Sequence, residues 1–225
     1  MTDEADGAVG ADYLALADWR RRISDLYGEV RATALKDPRE AWSRWRAVRD
    51  DLYRHHLQSP VPAPVRVTHA GRYWPYDPAL RYEVEVSAAE GSSPADLHAR
   101  TDDPFLILPM STGEAMAFTT VGSVTIRLPG GTRSLDVFWM SGYAGGLFLP
   151  FRDATNGHAT YGAGRYLLDT AKGADLGGVV AEGWLILDFN FAFQPSCAFD
   201  PRWACPLAPP QNRLDVPIEA GERLT

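Results

Sequence analysis

Cysteine is scarce in this sequence, with two residues in a chain of 225. Two thiols cannot build the disulfide framework of a small secreted domain. The opening residues, MTDEADGAVGADY, lack the basic start and the apolar stretch of a signal peptide. No apolar run approaches the roughly 20 residues that cross a bilayer. We therefore expect a cytoplasmic protein with reduced cysteines and no membrane partner.

Positive charge is also in short supply, because 22 Lys and Arg residues face 29 Asp and Glu residues and give a net charge of -7. A nucleic-acid surface needs an excess of cations to replace the counterions of the phosphates. This balance argues against nucleic acid as a partner and leaves a small-molecule ligand or a second copy of the chain in a homodimer.

Several catalytic and metal-binding patterns are missing. No Gly-x-Ser-x-Gly nucleophile elbow occurs. Cys197 and Cys205 are separated by seven residues, whereas zinc-binding cysteines usually stand two to four apart, so a Cys₂His site through His158 does not fit well. We predict no metal and no cofactor, and interpret the two cysteines as buried, reduced thiols that pin a proline-rich loop to a sheet.

The N-terminal part of the chain has helical periodicity. Residues 1–10 are small and acidic and are predicted to be disordered, and 11–58 are predicted to form a helical pair. The first helix carries apolar residues at three- and four-residue steps, from Leu16 to Ala34. Before the second helix, Asp37, Pro38 and Glu40 form the pattern of a capping box with proline at the first helical position.

The second helix combines tryptophans with arginines. Trp42 and Trp45 fall on its apolar stripe, whereas its arginines, diluted by acidic residues, indicate a solvated face rather than a basic binding patch. These arginines are Arg44, Arg46, Arg49 and Arg54.

Residues 65–225 change to short strand-like segments separated by turn signals, with no helical pattern between them. The segments are 81–87, 123–128, 134–140, 147–151, 164–169 and 183–193, and the turns lie at Pro129–Gly131, Gly142–Gly146, Asn156-Gly157 and Gly177-Gly178. This pattern predicts a mainly β protein of the α+β class. We expect an antiparallel β-barrel or a strongly curled meander, with the two helices packed on it as one structural unit.

Polar side chains gather around Asn156-Gly157, a dipeptide typical of two-residue type I′ hairpins. Arginine forks suit a carboxylate or a phosphate, and a carboxylate whose pKa is raised can act as a general base. Asp153 and Tyr161 are therefore candidate catalytic residues. The predicted substrate-binding residues of this segment are Arg152, Thr155, Arg165 and Tyr166. The alternative is a structural hairpin in which the charged residues pair across the strands.

The segment 183–193 alternates with a period of two. Leu185, Leu187, Phe189, Phe191 and Phe193 are predicted to share one face. The other face grades from apolar to polar and brings Asp188, as a second candidate catalytic carboxylate, and Asn190, as a binding residue, to the barrel mouth. A half-solvated strand is the alternative.

Three motifs resemble a bacterial and archaeal family of uncharacterised proteins, number 1684 in the domain-of-unknown-function series. The motifs are RYWPYDPALRYEVEV, LFLPFRDATNGHATYGAGRYL, and LDFNFAFQPSCAF together with CPLAPPQNRL and IEAGER. The resemblance covers Trp42 to Arg223 and implies that the hairpin and the C-terminal loop belong to one site, which adds Asn212 to the candidate binding residues. It implies no reaction.

Three functions therefore remain open at the level of the sequence. One is an enzyme that acts on a small anionic or carbonyl-bearing metabolite in a barrel-mouth pocket. A second is a non-catalytic barrel that binds a small molecule. The third is a structural or protein-interaction module with no ligand, in which the polar residues join the loops to the sheet. Buried Asp153 and Asp188 side chains that lie close together and face an open cavity would favour the first function. An apolar cavity with one polar end would favour the second. Asp153 and Arg165 side chains saturated by backbone and by each other, with no cavity, would favour the third.

Overall fold

Two long helices form the N-terminal layer. The computed structural model describes residues 3–89, 106–141 and 145–224. Helix α1 spans Asp3–Ala34, α2 spans Pro38–His55, and a single turn, α3, spans Ala63–Arg66. Helix α1 begins well before the predicted apolar stripe and takes in residues 3–10, which the composition predicted to be disordered.

The predicted start of α2 is confirmed. Asp37 is the N-cap and its Oδ1 accepts a hydrogen bond from the Glu40 backbone N–H at 2.9 Å, with Pro38 as the first helical residue. The apolar stripes of the two helices bury Val30, Trp45 and Leu52. Among the helices of the described ranges, none combines the length and hydrophobicity needed to cross a bilayer.

Every strand pair that the structure describes is antiparallel. The bounds of the strands are β1 Arg72–Tyr73, β2 Arg81–Ala88, β3 Leu106–Pro109, β4 Ala115–Leu128, β5 Gly131–Met140, β6 Gly146–Phe151, β7 Arg165–Asp169, β8 Gly178–Val179, β9 Trp184–Asp188 and β10 Glu222–Arg223. Within the described residues the main sheet has the order β7-β6-β5-β4-β2-β9-β8, with β3 beside β4, while β1 pairs with β10 separately.

The main sheet curls strongly. Bulges between Thr120 and Gly122 and between Leu149 and Pro150 shift the register and increase the local twist. As a result Tyr166 on β7 and Phe193, five residues after β9, exchange two backbone hydrogen bonds of 2.9 and 3.0 Å. The predicted fold class is confirmed: the protein is mainly antiparallel β, with a half-barrel sheet and N-terminal helices, in the α+β class.

The two faces of the sheet pack against different parts of the chain. Phe138, Phe148 and Tyr166 face the core that the sheet shares with α1 and α2. The residues next to them in the sequence point to the other face of the sheet. There they form a second core with the C-terminal segment that contains Leu214 and Ile218. The period-two alternation of the strands thus builds two cores.

The strand predicted over 183–193 is shorter than its sequence pattern indicates. β9 ends at Asp188, whose Oδ1 accepts a hydrogen bond from the Asn190 backbone N–H at 3.0 Å and caps a 3₁₀ turn, Phe189–Phe191. Since a capped turn breaks the extended backbone, the predicted alternation of faces does not continue past Asp188. Phe189, Asn190 and Phe191 are all buried.

The two-residue hairpin predicted at Asn156-Gly157 is wrong. Residues 152–164 form one loop between β6 and β7, and Gly157, with φ of 81°, lies inside it. The Asn156 side chain closes this loop, because Oδ1 accepts from the Asp153 N–H and Nδ2 donates to the Thr160 hydroxyl and the Tyr161 carbonyl. The turn predicted at Gly142–Gly146 falls partly on residues 142–144, outside the described residues.

Candidate functional site

The β6–β7 loop rests on a buried ion pair between Asp153 and Arg165. Arg165 Nη2 lies 3.0 Å from Asp153 Oδ2, and both side chains are fully buried. Asp153 follows β6 and Arg165 opens β7, so the antiparallel pairing of these strands brings the two residues together. Burial lowers the pKa of the Arg165 guanidinium, and the Asp153 carboxylate opposes that effect.

Both members of this pair also hold the C-terminal segment. Arg165 donates to the carbonyl oxygen of Ile218 at 2.8 Å and to that of Glu222 at 3.1 Å, and it also donates to the Ala220 carbonyl between them in sequence. Asp153 Oδ1 accepts from the backbone N–H of Thr155 at 2.7 Å and of Ile218 at 3.3 Å. These contacts join the loop to the C-terminal segment, although Arg165 Nε is buried with no hydrogen-bond partner among the described residues.

Asp188 and Asn190 form a second, separate cluster. Asp188 Oδ1 accepts from Asn190 Nδ2 at 2.7 Å, and Oδ2 accepts from the Tyr76 hydroxyl at 3.1 Å. Asn190 also binds both backbone groups of Asp77, at 2.8 Å each. Burial raises the pKa of the Asp188 carboxyl, and the hydrogen bonds from Asn190 oppose that rise. This cluster fixes the segment before β2 against the end of β9.

The remaining predicted binding residues of the loops contact other protein groups. Asn212 binds both backbone groups of Asp136 and the Pro150 carbonyl at 2.8–2.9 Å. The Thr155 hydroxyl lies 2.9 Å from the Thr160 hydroxyl. The backbone of Arg152 forms an isolated parallel β-bridge with Arg213, and the Arg152 side chain is half-buried. The catalytic and binding roles of all these residues stay predictions.

A cavity of about 260 Å³ lies elsewhere, between α1, α2 and the loop that follows β9. Several aromatic side chains line it: α1 provides Trp19 and Tyr27, α2 provides Tyr53, and the C-terminal half provides Phe193 and Trp203. Of the predicted site residues it includes Tyr166, whose hydroxyl donates to the Pro206 carbonyl at 2.5 Å. Asp153, Arg165 and Asp188 do not line it.

The polar side of this cavity centres on Arg49. Its guanidinium pairs with the Glu222 carboxylate at 2.5 and 3.0 Å and also donates to the Tyr53 hydroxyl. Although burial disfavours the charged form, the Glu222 carboxylate raises the pKa of Arg49 above its ordinary value. Gln194, also on the cavity wall, donates its backbone N–H to Glu222 Oε2 at 2.7 Å.

Arg49 corrects the interpretation of α2 as a helix with a solvated basic face. Arg44 is exposed, as expected, but Arg49 is only 5% exposed. Its place in the sequence gave a signal that was missed, because Arg49 follows Trp45 by four residues and precedes Leu52 by three, within the apolar stripe. An arginine at such a position needs a buried partner.

Tyr161 lies beside the two cysteines at one edge of this region. The pKa of Tyr161 is raised to about 12, mainly by burial and to a smaller extent by the nearby Cys197. The cysteines are free and buried, as predicted from the sequence, and Cys205 contributes to the cavity wall. Within the ranges that the structure describes, no three His, Cys, Asp or Glu side chains converge as a metal site requires.

Comparisons with known proteins agree with this architecture. A family model described as "Protein of unknown function (DUF1684)" matches residues 69–223. The chain is also similar to an uncharacterised protein from gene locus rrnAC0354 of Haloarcula marismortui, whose structure was solved by solution NMR. The identity is 29% and the TM-score 0.56, over 84% of this chain and 97% of that chain. No curated protein matches.

The family match includes the loop motif, the cysteine motif and the C-terminal motif that suggested the resemblance. Helices α1 and α2 precede the matched residues, so part of the cavity wall comes from outside the match. Because the match extends over more than half of the sequence, the chain belongs to the DUF1684 family of proteins of unknown function.

Proposed function

We propose that the protein binds a small organic anion with an apolar body in the cavity between α1, α2 and the loop after β9. The observation that carries this proposal is the composition of the cavity wall. Its cationic side chains are Arg20, Arg49 and Lys172, and none of the described residues that line it is acidic. The described lining therefore offers cations and no carboxylate, although Arg49 and Lys172 pair with carboxylates that lie outside the lining.

The aromatic wall supports an apolar ligand body. The volume lies just below the roughly 300–1,000 Å³ typical of small-molecule pockets. A ligand that buries about 200 Å² of apolar surface gains about 5 kcal/mol at about 25 cal/mol per Å². Since association costs several kcal/mol, the apolar contact alone gives at best about millimolar affinity, and tighter binding needs an ionic contact as well.

The arrangement of the cations supports a negative group at the mouth. Arg49 is neutralised by Glu222 within the wall, and Lys172 lies 2.5 Å from Asp169. Arg20 is exposed on α1 at the cavity rim, where it can approach a ligand from solvent. A carboxylate or sulfonate at the rim would meet this guanidinium while its apolar part enters the cavity.

A reaction centred on Asp153 or Asp188 has less support. Both carboxylates accept hydrogen bonds from protein donors, and neither lines the cavity. Non-catalytic binding is therefore the function that this geometry favours.

Anilinonaphthalene sulfonate is a suitable probe, because it joins an aromatic body to an anionic group and fluoresces in apolar surroundings. We expect saturable binding of one molecule per chain. Ala204→Trp, at an exposed residue of the rim, should weaken binding at least about tenfold by covering the mouth. Ala17→Trp, on the exposed face of α1, is the matched control and should bind as the unmodified chain does.

Cooperative thermal unfolding of both variants would show that neither has exposed its core to the dye. Equal dye affinity of the two folded variants would reject the cavity as the binding site. Displacement of the dye by a panel of aromatic and aliphatic carboxylates would then identify the ligand class.

A further inference from the structure

The two cysteines touch each other and are held by backbone groups. The Cys197 N–H donates to Cys205 Sγ at 3.3 Å. Cys205 is fixed in turn by Ser111, because its N–H donates to the Ser111 hydroxyl at 3.0 Å and its carbonyl accepts from the Ser111 N–H at 2.9 Å. The loop therefore presents both sulfurs to one another although seven residues separate them.

The two thiols have different environments. A hydrogen bond from the Cys205 thiol lowers the pKa of Cys197 to about 6, against the opposing effect of burial and with help from the Ser111 and Tyr161 hydroxyls. The same contact, together with burial, raises the pKa of Cys205 far above its ordinary value. The environment therefore favours the thiolate at Cys197 and the protonated thiol at Cys205, the combination that an attacking and a resolving cysteine require.

We propose that Cys197 and Cys205 form a reactive dithiol that reduces a hydroperoxide and closes into an intramolecular disulfide. Cys205 and Ser196, the residue before Cys197, line the cavity between the helices and the loop, which brings a small hydroperoxide to the edge of the pair. The proposal does not depend on whether the cavity binds an organic anion.

The reaction balances with the hydroperoxide as the oxidant. The Cys197 thiolate attacks one peroxide oxygen, the O–O bond breaks, and the leaving oxygen takes a proton from solvent to become an alcohol or water. Cys197 is then a sulfenic acid. The Cys205 sulfur attacks the Cys197 sulfur, the S–O bond breaks, and the hydroxide leaves as water with the Cys205 proton. Two electrons pass from the two sulfurs to the peroxide.

Trypsin separates the two thiols and makes the test direct. Cleavage after Lys172, Arg202 and Arg213 places Cys197 in peptide 173–202 and Cys205 in peptide 203–213. After treatment of the folded full chain with hydrogen peroxide, we expect these two peptides to be linked within one chain and to separate on reduction. Iodoacetamide at neutral pH should label 173–202 at least about tenfold faster than 203–213, since it reacts with thiolates.

Two variants sharpen this test. Cys205→Ser should abolish the linked peptides and leave a Cys197 sulfenic acid that dimedone captures. Tyr161→Phe keeps both thiols but removes a hydroxyl donor to Cys197, and should slow the labelling of 173–202 severalfold. Tyr13→Phe, at an exposed tyrosine on α1, is its control and should leave that rate unchanged. Equal labelling of both peptides, or peroxide-induced linkage only between separate chains, would overturn the proposal.

Discussion

Arg49 on α2 and Glu222 on β10 form a two-point ion pair, with Nε–Oε1 at 2.5 Å and Nη2–Oε2 at 3.0 Å. Both side chains are almost completely buried, at 7% and 4% exposed. The pair links a helix near the start of the chain to its last strand, and its Arg49 member lines the aromatic cavity. One contact thus ties the helical layer, the C-terminal segment and the proposed binding site together.

Arg49→Met should destabilise the protein by about 3–5 kcal/mol, because it leaves the Glu222 carboxylate buried without its partner. Urea-induced unfolding at neutral pH would measure the loss. Arg44→Met is the matched control. Arg44 also lies on α2 and forms an exposed ion pair with Glu29 of α1, so its loss should change the free energy of unfolding by no more than about 0.5 kcal/mol. Equal losses in both variants would show that the buried pair has no special role.

Arg165→Lys should cost about 2–4 kcal/mol even though it preserves the charge. A single ammonium cannot reach the Asp153 carboxylate and three C-terminal carbonyls in the geometry of a guanidinium fork. The control is Arg133→Lys, at an exposed fork to Asp215, which should cost less than about 1 kcal/mol. An unchanged unfolding curve for Arg165→Lys would return Arg165 to the list of ligand-binding candidates.

Local chemistry accounts for what could be predicted from the sequence. The stripe on α1, the Asp37 cap and the alternating strands each depend on residues that lie within a few positions of one another. The curled antiparallel sheet follows from short strands and frequent turns. These features need no knowledge of distant partners, and the structure has them.

Long-range partners account for what could not be predicted. The buried partner of Arg49 could not be predicted from nearby residues, because Glu222 lies 173 residues further along the chain. The end of β9 could not be predicted for a different reason. Phe189, Phe191 and Phe193 continue the apolar alternation of a strand in the sequence, although the Asp188 side chain already caps a turn. Asp153 and Asp188 looked like a catalytic pair because no local pattern reveals that backbone groups engage both.

Asp188 should make stability depend on pH in a defined direction. Burial raises its pKa above the ordinary value of 3.8, so the unfolded chain loses this proton at lower pH than the folded protein does. The contribution of Asp188 to stability is therefore fully present below about pH 3.8 and falls as the pH rises through its raised folded-state pKa.

Calorimetry of the unmodified chain and of Asp188→Asn between about pH 3.5 and 7 would isolate this contribution. We expect the melting temperature of Asp188→Asn, relative to the unmodified chain, to rise as the pH increases, because the variant has no carboxyl to ionise. A difference that stays constant or falls with pH would contradict the assignment. Asp215→Asn, at an exposed carboxylate, serves as the control: its lowered pKa confines its pH dependence to about pH 3.8 and below, so its difference should stay nearly constant over most of this range.

Arg20→Glu should weaken the binding of anilinonaphthalene sulfonate about tenfold if the ligand's negative group sits at the cavity rim. Two units of charge at about 8 Å, in an effective dielectric of about 60, change the interaction by about 1.4 kcal/mol, which is a factor of about ten. Arg21→Glu makes the same change in net charge on a neighbouring residue that pairs with Asp18 and does not line the cavity, so binding should change much less.

Fluorescence titrations at low and at high salt would measure both variants. The difference between them should shrink with added salt, because salt screens an exposed guanidinium. Equal affinities at low salt would place the sulfonate away from Arg20.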